Sequence, residues 1–244
     1  MKELLVIIPT YNEAGNIAQM ITKVLSLSLP YHLLIIDDGS PDGTGNIVKE
    51  IQHHYPGRLH LIERPGKLGL GTAYIAGFKW AIAEGYRYIF EMDADFSHDP
   101  DDLERLYAAI CSSPEYGMSI GSRYIKNGGL KDWPFSRILI SKGASLYVRI
   151  ITGIPVMDTT AGFVCYRKEI LEKLDLDKIK FHGYAFQIEM KYAIWKTGFK
   201  LIEVPIIFTD RKIGTSKMNT GIFKEAFAGV WKISRHDAAY YLLA

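Results

Sequence analysis

Short apolar runs alternate with segments of helical periodicity along the first half of the chain. Residues 4–8 form a continuous apolar run, which is typical of a strand buried on both faces of a parallel sheet. Similar runs follow at 33–36, 59–62 and 88–92, and the stretches between them repeat apolar residues at helical spacing. Residues 1–120 therefore predict alternating strands and helices, and hence a mostly parallel sheet flanked by helices.

The pattern is less regular after residue 120 but continues in the same class. It predicts strands at 118–121, 164–166 and 201–204, and helices that begin at Phe135 and span 184–195. A terminal amphipathic helix is expected over 222–235, either packed on the core or lying in a membrane interface. No repeat or linker divides the chain, so we expect one α/β domain over 1–244. We expect its first half, 1–120, to bind nucleotide and its second, 121–244, to bind an acceptor.

Polar residues gather where the predicted strands end. Tyr11 and Glu13 follow the first strand, Asp37 and Asp38 the second, and Asp93 and Asp95 the fourth. Because parallel strands end at one edge of a sheet, these clusters are predicted to face one crevice. Two adjacent carboxylates at a strand end favour a divalent cation such as Mg²⁺ or Mn²⁺. The alternative is a turn in which Asp95 or Ser97 caps the next helix.

A glycine-containing loop at 66–71 opens the third predicted helix. It lacks the third glycine of a dinucleotide fingerprint, because Tyr74 stands there, and it lacks the Gly-Lys-Ser/Thr of a P-loop. Hydride transfer on a Rossmann cofactor site is therefore disfavoured. The remaining interpretations are a surface turn or a close approach of backbone to ligand or neighbouring strand.

Two basic segments are candidate phosphate sites. Arg137, Ser141 and Ser145 are spaced four apart near a helix start, which suits either a phosphate or a solvated face. Residues 210–217 carry three cations and a glycine, which favours either a loop closing on a nucleotide or an ordinary basic surface loop.

Composition narrows the class without naming a reaction. The chain has 244 residues, 48% of them hydrophobic and 23% charged, as expected of a globular protein with a full core. A net charge of +2 gives no indication of nucleic-acid binding. Neither a signal-like leader nor an apolar run of about 20 residues is present in the sequence. The two cysteines have no metal or redox spacing, which favours a reduced, cytosolic setting.

Taken together, these motifs resemble glycosyltransferase family 2, and within it the dolichyl-phosphate (polyprenyl-phosphate) mannose synthases. The matching stretches run in family order over nearly the whole chain, and are Pro-Thr-Tyr-Asn-Glu (9–13), Asp-Asp-Gly-Ser-Pro-Asp-Gly-Thr (37–44), Gly-Lys-Leu-Gly-Leu-Gly-Thr-Ala-Tyr (66–74), Asp-Ala-Asp-Phe-Ser-His (93–98), Gly-Ser-Arg-Tyr (121–124), Thr-Ala-Gly-Phe (160–163) and Asp-Arg-Lys-Ile-Gly-Thr-Ser-Lys (210–217). Thr160-Ala161 departs mildly from the family's usual Thr-Ser or Thr-Gly. The sequence also lacks the transmembrane tail of some members, so it resembles the soluble catalytic type.

The resemblance implies a GT-A fold that transfers mannose from GDP-mannose to a polyprenyl monophosphate with inversion, using Mg²⁺ or Mn²⁺. It implies a cytoplasmic protein, peripheral at the cytoplasmic face of a membrane or bound to a separate membrane subunit. A transferase using UDP-glucose or UDP-N-acetylglucosamine, and a non-catalytic nucleotide-sugar-binding subunit, stay open as alternatives.

The resemblance also assigns roles to individual positions. The guanosine pocket would be lined by Pro9, Tyr11, Glu13, Ile36 and Asp38. Contacts to the rest of the nucleotide sugar would come from Asp93, Ala94, Asp95, Arg123, Arg211 and Lys217. Asp95 would ligate the metal, with Ser97 as a weaker ligand, and Asp95, Arg211 and Lys217 would be the catalytic groups. Beside these, we expect Arg123, Arg137 and Ser141 to hold the acceptor phosphate.

Overall fold

The computed structural model describes residues 2–181, 183–210 and 229–243. Its strands are β1 (Leu4–Thr10), β2 (Tyr31–Asp37), β3 (Leu59–Glu63), β4 (Tyr88–Glu91), β5 (Tyr116–Ser122), β6 (Gly129–Lys131), β7 (Val164–Arg167), β8 (Lys200–Pro205) and β9 (Ile207–Thr209). Its helices are α1 (Ile17–Leu25), α2 (Thr44–Gln52), α3 (Leu70–Ala83), α4 (Asp102–Cys111), α5 (Phe135–Thr152), α6 (Lys168–Lys173), α7 (Tyr184–Lys196) and α8 (Ala238–Tyr241), with a 3-10 turn at Leu176–Lys178.

A seven-stranded sheet in the order β3-β2-β1-β4-β7-β5-β8 forms the centre of the fold. The pairs β1–β2, β1–β4, β2–β3 and β5–β8 are parallel, and β7 runs antiparallel to both of its neighbours. The predicted mostly parallel sheet is therefore confirmed. Strands from both predicted halves of the chain share it, because β7 and β8 join β4 and β5.

Alternation along β1 explains why helices cover both faces of this sheet. Leu5 and Ile7 pack with residues of α3 and α7 in one core cluster, whereas Leu4, Val6 and Ile8 pack with α1, α2 and α4 in another. Every β1 side chain from Leu4 to Ile8 is buried, as a continuous apolar run predicts. Because both faces of the sheet are covered, polar side chains can meet solvent or a ligand mainly at the ends of the strands.

A second sheet of two short parallel strands, β6 and β9, lies outside the main one. Gly129 begins β6, and Gly128 directly precedes it. Gly128 packs so closely on Ser122 that a Cβ there would lie 2.5 Å from the Ser122 carbonyl oxygen. Phe208 of β9 contacts the Trp133 ring, which lies just before α5, edge to face with centroids 5.6 Å apart.

Two predicted features lie partly or wholly outside the described residues. They are the basic loop, at 211–217, and residues 222–228 of the terminal helix predicted at 222–235; residues 229–233 of that helix are described and helical, and Val230 and Ile233 are buried in the core. In the described ranges, no helix combines the length and the apolar character that crossing a bilayer requires.

Candidate active site

A cavity of about 840 Å³ opens at the carboxyl ends of β1, β2 and β4. Its wall includes the segments that follow those strands, the first turns of α3, one face of α5 and part of α7. Ligands of open α/β sheets bind at this edge, where the loops after the strands converge. Among the predicted site residues, those lining the cavity are Pro9, Tyr11, Glu13, Asp38, Asp93, Ala94, Asp95, Arg123, Arg137 and Ser141.

The turn after β4 presents two carboxylates to the cavity. Asp95 is buried, and its Oδ1 accepts hydrogen bonds from the Ser97 backbone nitrogen at 3.1 Å and from the Ser97 hydroxyl. Phe96 between them has φ of +58°, a conformation that is costly for an aromatic residue. Asp95 is therefore held by a strained turn, and Ser97 acts in this structure as a donor that orients it.

The residues after β2 divide into one structural and one cavity-facing aspartate. Asp37 accepts from the hydroxyls of Thr10 and Ser40, at 2.9 and 2.6 Å, and so stabilises the turn. Asp38 lines the cavity and accepts from Arg64 Nε at 2.5 Å. The side chain of Ile36 is fully buried in the core, on the α3 side of the sheet, and is not part of the cavity wall, contrary to its predicted place in the pocket.

The glycine loop makes a close approach to a neighbouring segment. Gly69 has φ of +103°, in the region that side chains avoid. A Cβ on Gly71 would lie 2.6 Å from the carbonyl oxygen of Phe181 and 2.9 Å from the Phe186 ring. Gly69 and Lys67 line the cavity, and the Lys67 ammonium lies 5.2 Å from the centre of the Tyr11 ring. The loop is thus a site of tight packing beside the cavity.

Arg123 is fixed by a buried carboxylate. Its Nε and Nη2 donate to the two oxygens of Asp158, both at 2.6 Å, and Nη2 also donates to Thr160 Oγ1 at 3.0 Å. Asp158 is fully buried and accepts further from the Arg123 backbone nitrogen at 3.0 Å. A bidentate pair of this kind sets the plane of the guanidinium at the cavity wall.

The start of α5 brings together the residues predicted to hold a phosphate. The Arg137 guanidinium stacks 3.6 Å from the centre of the Trp133 ring, and its Nη1 donates to Asp210 Oδ2 at 3.1 Å. One turn further, the Ser141 hydroxyl accepts from Tyr124 at 2.5 Å. Both Arg137 and Ser141 line the cavity, whereas Ser145 is buried away from it.

Beneath the cavity lies a buried polar network around Gln187. Glu91 accepts from Tyr166 Oη at 2.8 Å and from Gln187 Nε2 at 2.5 Å. The Lys191 ammonium donates to the Ala161 carbonyl at 2.6 Å and to Gln187 Oε1 at 3.3 Å. Burial raises the pKa of Glu91 to about 7 and lowers the pKa of Lys191 to about 8. Gln187, which lines the cavity, is therefore held at both ends of its amide.

His98 also lines the cavity, next to the two carboxylates. Its ring stacks on Phe163, with centroids 4.8 Å apart, and its Nδ1 accepts from the Asp93 backbone nitrogen at 3.3 Å. Burial lowers the pKa of His98 to about 4, so that the ring is neutral at physiological pH. A neutral ring that accepts at Nδ1 carries its proton on Nε2.

Comparison with known proteins assigns the chain to a family. The model of glycosyl transferase family 2 matches residues 5–175. This chain belongs to glycosyl transferase family 2. It is 44% identical over 222 residues to a polyprenol monophosphomannose synthase of Mycolicibacterium smegmatis, a match covering 91% of this chain and 83% of the relative. It is 41% identical to an undecaprenyl-phosphate mannosyltransferase of Micrococcus luteus, covering 93% and 92%.

Solved structures confirm the fold predicted for this glycosyltransferase. Glucosyl-3-phosphoglycerate synthase from Mycobacterium tuberculosis superposes with a TM-score of 0.68 at 14% identity, covering 96% of this chain and 80% of that one. A mannosyltransferase from Pyrobaculum calidifontis, solved in complex with GDP-Man and Mn²⁺, gives 0.57 at 17% identity, covering 94% and 69%. The GT-A fold with a single central sheet is thus confirmed.

The sequence analysis assigned no role to several residues of the candidate site and left two of its assigned roles untested. The predicted catalytic groups Arg211 and Lys217 lie outside the described residues, and their roles stay predictions. The cavity also takes in Lys67, His98, Trp133, Thr160 and Gln187. A helical spacing of four between Gln187 and Lys191 is the signal that could have revealed the buried network.

Proposed function

We propose that this glycosyltransferase moves mannose from GDP-mannose to a polyprenyl monophosphate, forming a β-mannosyl phosphoryl polyprenol. The observation that carries the proposal is the high identity, over nearly the whole chain, to enzymes named for mannose transfer to polyprenyl phosphate. The cavity lining supports the proposal, because carboxylates such as Asp93 and Asp95 beside Arg123 and Arg137 suit a reaction between two phosphate-bearing substrates.

We assign the donor to the side of the cavity formed by β1, β2 and β4. We assign Tyr11 and Asp38 to the base and ribose and Asp93 and Asp95 to the diphosphate, because all four line the cavity at the ends of these strands. The Asp38–Arg64 pair, closed by a hydrogen bond from the Leu68 backbone nitrogen to Asp38 Oδ2 at 3.2 Å, makes this wall rigid. GDP rather than UDP as the donor nucleotide is part of the proposal.

The donor set fits a hard divalent cation. Asp93 and Asp95 offer carboxylate oxygens at the cavity wall, and among the described residues no cluster of three or more His, Cys, Asp or Glu side chains forms a closed metal cage. Mg²⁺ and Mn²⁺ sites of this kind use one or two carboxylates and take further ligands from substrate phosphates. When bound, the cation would supply charge stabilisation for the departing diphosphate. Asp95 would be its main ligand, with Ser97 holding Asp95 in place.

We assign the acceptor phosphate to the start of α5. Arg137 and Ser141 stand one turn apart on the cavity face of this helix, and Arg123 faces the same space from the end of β5. The helix N-terminus adds a favourable field for an anion. Trp133 and Asp210 hold the Arg137 guanidinium, so the phosphate would meet a donor whose position is set in advance.

The reaction needs little proton transfer. A phosphomonoester is largely dianionic at neutral pH, because its second pKa is about 6, so we assign no general base. The acceptor oxygen attacks the anomeric carbon as the bond to GDP breaks, which inverts that centre. The task of the protein is to orient two anions and to balance their charge. Arg123 and Arg137 do this on the acceptor side, and Arg211 and Lys217 are predicted to do it on the donor side.

A two-part experiment tests the proposal. The protein is incubated with radiolabelled GDP-mannose, a polyprenyl phosphate and Mg²⁺ or Mn²⁺, and we expect label in the organic phase. Labelled UDP-glucose and UDP-N-acetylglucosamine serve as matched donors that should give none. Thermal shifts with GDP and with UDP separate donor choice from turnover. Transfer from a UDP-sugar with none from GDP-mannose would refute the donor assignment, and absence of any labelled lipid would refute the reaction.

A further inference from the structure

The outer face of α5 carries a concentration of exposed apolar side chains. Five of the eleven large hydrophobic residues that are exposed in the described part of the chain lie on this 18-residue helix. Four of them, Phe135, Leu139, Leu146 and Ile150, are 79%, 63%, 54% and 72% exposed. We call these four residues the α5 stripe. A soluble surface rarely gathers such residues in one place without an interaction to satisfy.

Helical geometry makes the stripe continuous. At about 100° per residue, the positions of the four side chains fall within an arc of about 60°. With a rise of about 1.5 Å per residue, Phe135 and Ile150 are about 22 Å apart along the helix axis. The stripe is therefore a narrow apolar ridge along the helix and is separate from the opposite face, where Ser145, Val148 and Thr152 are buried.

Basic side chains border this ridge. By the same rotation per residue, Lys142 and Arg149 fall on one flank of the stripe, Lys142 about 20–80° and Arg149 about 40–100° from its members. The helix contains Arg137, Lys142 and Arg149 and neither aspartate nor glutamate. An apolar stripe flanked by cations is the pattern of a helix that lies in the interface of an anionic bilayer.

The cavity lies further round the same helix. Of the residues that line it, Ile140 and Tyr147 directly follow Leu139 and Leu146 in sequence and are about 60–80° from the nearest member of the stripe, whereas Ser141 and Ala144 are about 120° from it. An acceptor whose polyprenyl chain is dissolved in a bilayer can deliver its phosphate to Ser141 only if the mouth of the cavity is close to the lipid surface. This step rests on the proposed function, whereas the stripe and its cations do not.

We propose that the α5 stripe is a membrane-docking surface, which inserts into the interface of an anionic lipid bilayer and presents the cavity to lipid-borne acceptors. Docking buries the four apolar side chains, and Lys142 and Arg149 pair with lipid phosphates. The sequence analysis left membrane contact open as one of two interpretations of the predicted terminal helix at 222–235; the stripe assigns membrane contact to a different element.

Flotation with lipid vesicles, without acceptor or donor, tests the docking surface by itself. Wild-type protein is mixed with phosphatidylcholine vesicles made with and without phosphatidylglycerol. We expect flotation with the anionic vesicles, and binding weaker by about fivefold per interfacial cation with the neutral ones. The variant Leu139→Glu/Leu146→Glu should lose about tenfold or more in partitioning per leucine, because each loses its apolar burial. Leu243→Glu, at a position 58% exposed outside α5, is the matched control and should float like wild type.

Each other outcome counts against the stripe. A wild type that does not float, a double variant that floats normally, or a Leu243 variant that is lost equally would overturn the assignment. A wild-type dimer in light scattering that the double variant dissociates, without flotation, would show a second copy of the chain to be the occupant. If the double variant loses its cooperative melt, Ile150→Glu takes its place, at the other end of the stripe.

A second readout separates this proposal from the proposed function. With a short-chain, water-soluble prenyl phosphate, the double variant should transfer mannose at the wild-type rate, because neither leucine lines the cavity. With acceptor embedded in vesicles, its rate should fall in proportion to its binding. Failure of all transfer, with flotation intact, would refute the proposed function and leave the docking surface standing.

Discussion

Lys191 provides a prediction whose size follows from the structure. The ammonium group is fully buried in α7, donates to the Ala161 carbonyl and to Gln187, and has its pKa lowered to about 8 from 10.5. Burial is the main cause, and the nearby Glu91 carboxylate opposes it. Replacing Lys191 with methionine keeps the length of the side chain and removes the titrating group.

The sign of the pH dependence is fixed by these pKa values. Between pH 8 and pH 10.5 the unfolded chain keeps a proton on Lys191 that the folded chain has lost. The unfolded state then binds more protons, so the free energy of unfolding of the wild type rises with pH across this window. The difference between the folded and unfolded pKa values of Lys191 corresponds to on the order of 3 kcal/mol in the free energy of unfolding. This gain in stability is fully present above pH 10.5, where Lys191 is neutral in both states, and it is lost as the pH falls through 8.

Urea denaturation of wild type and Lys191→Met, just below pH 8 and at pH 10.5, measures this difference. At the lower pH the variant should be less stable by about 2–4 kcal/mol, because two buried acceptors lose their donor. At the higher pH the gap should widen by about 3 kcal/mol. The change in Glu91 acts in the same direction, because without Lys191 its pKa rises further and the variant loses stability as the pH rises.

Lys196→Met is the matched control on the same helix. The Lys196 ammonium lies over the rings of Tyr192 and Trp195, at 5.2 and 4.9 Å, and takes no part in the buried network. The Lys196→Met variant separates the effect of losing any lysine from α7 from the effect of losing the buried Lys191. A gap between wild type and Lys191→Met that stays constant, or narrows, from pH 8 to pH 10.5 would show that the ammonium is not held in a desolvated site.

Three further predictions concern the glycine loop, the proposed acceptor site and the basic loop. Gly71→Ala should lower the free energy of unfolding by about 1–3 kcal/mol in chemical denaturation, since the new Cβ would meet the Phe181 carbonyl. Gly66→Ala, whose Cβ would meet no atom within contact distance, should leave the free energy of unfolding unchanged. Equal losses in the two variants would refute tight packing at Gly71. Arg137→Ala should raise the KM for polyprenyl phosphate about tenfold or more while the KM for GDP-mannose stays unchanged, and the reverse split would contradict the acceptor assignment. Lys217→Ala should reduce kcat by about 100-fold, and a variant with the wild-type rate would clear Lys217 of a catalytic role.

The sequence predicts most of the central sheet because its strands are continuous apolar runs. A run such as 4–8, with no polar position, can only be satisfied when both faces are covered, and the structure buries each of its residues. The convergence of the polar residues that follow these strands is also predictable, since parallel strands end at the same edge of the sheet. Asp38, Asp93 and Asp95 meet at one cavity for that reason.

The features that the sequence analysis missed depend on contacts between residues that are far apart in the chain. Asp37 and Asp38 are adjacent and chemically identical, and only the partners Thr10 and Arg64, from other elements, give one a structural place and the other a place at the cavity. The network of Glu91 and Lys191 likewise joins β4 to α7 across 100 positions of the chain. The short strands β6 and β9 have three residues each, too few for a periodic pattern.

The most direct test compares wild-type protein with Asp95→Ala in mannose transfer to polyprenyl phosphate, with Mn²⁺ and with excess chelator. Circular dichroism and melting of the variant serve to establish that its fold is retained. We predict labelled mannosyl lipid from the wild type with metal and none from the wild type in chelator or from the variant in either condition. Undiminished transfer by the wild type in chelator, or by a folded Asp95 variant, would contradict a carboxylate-held cation at the end of β4.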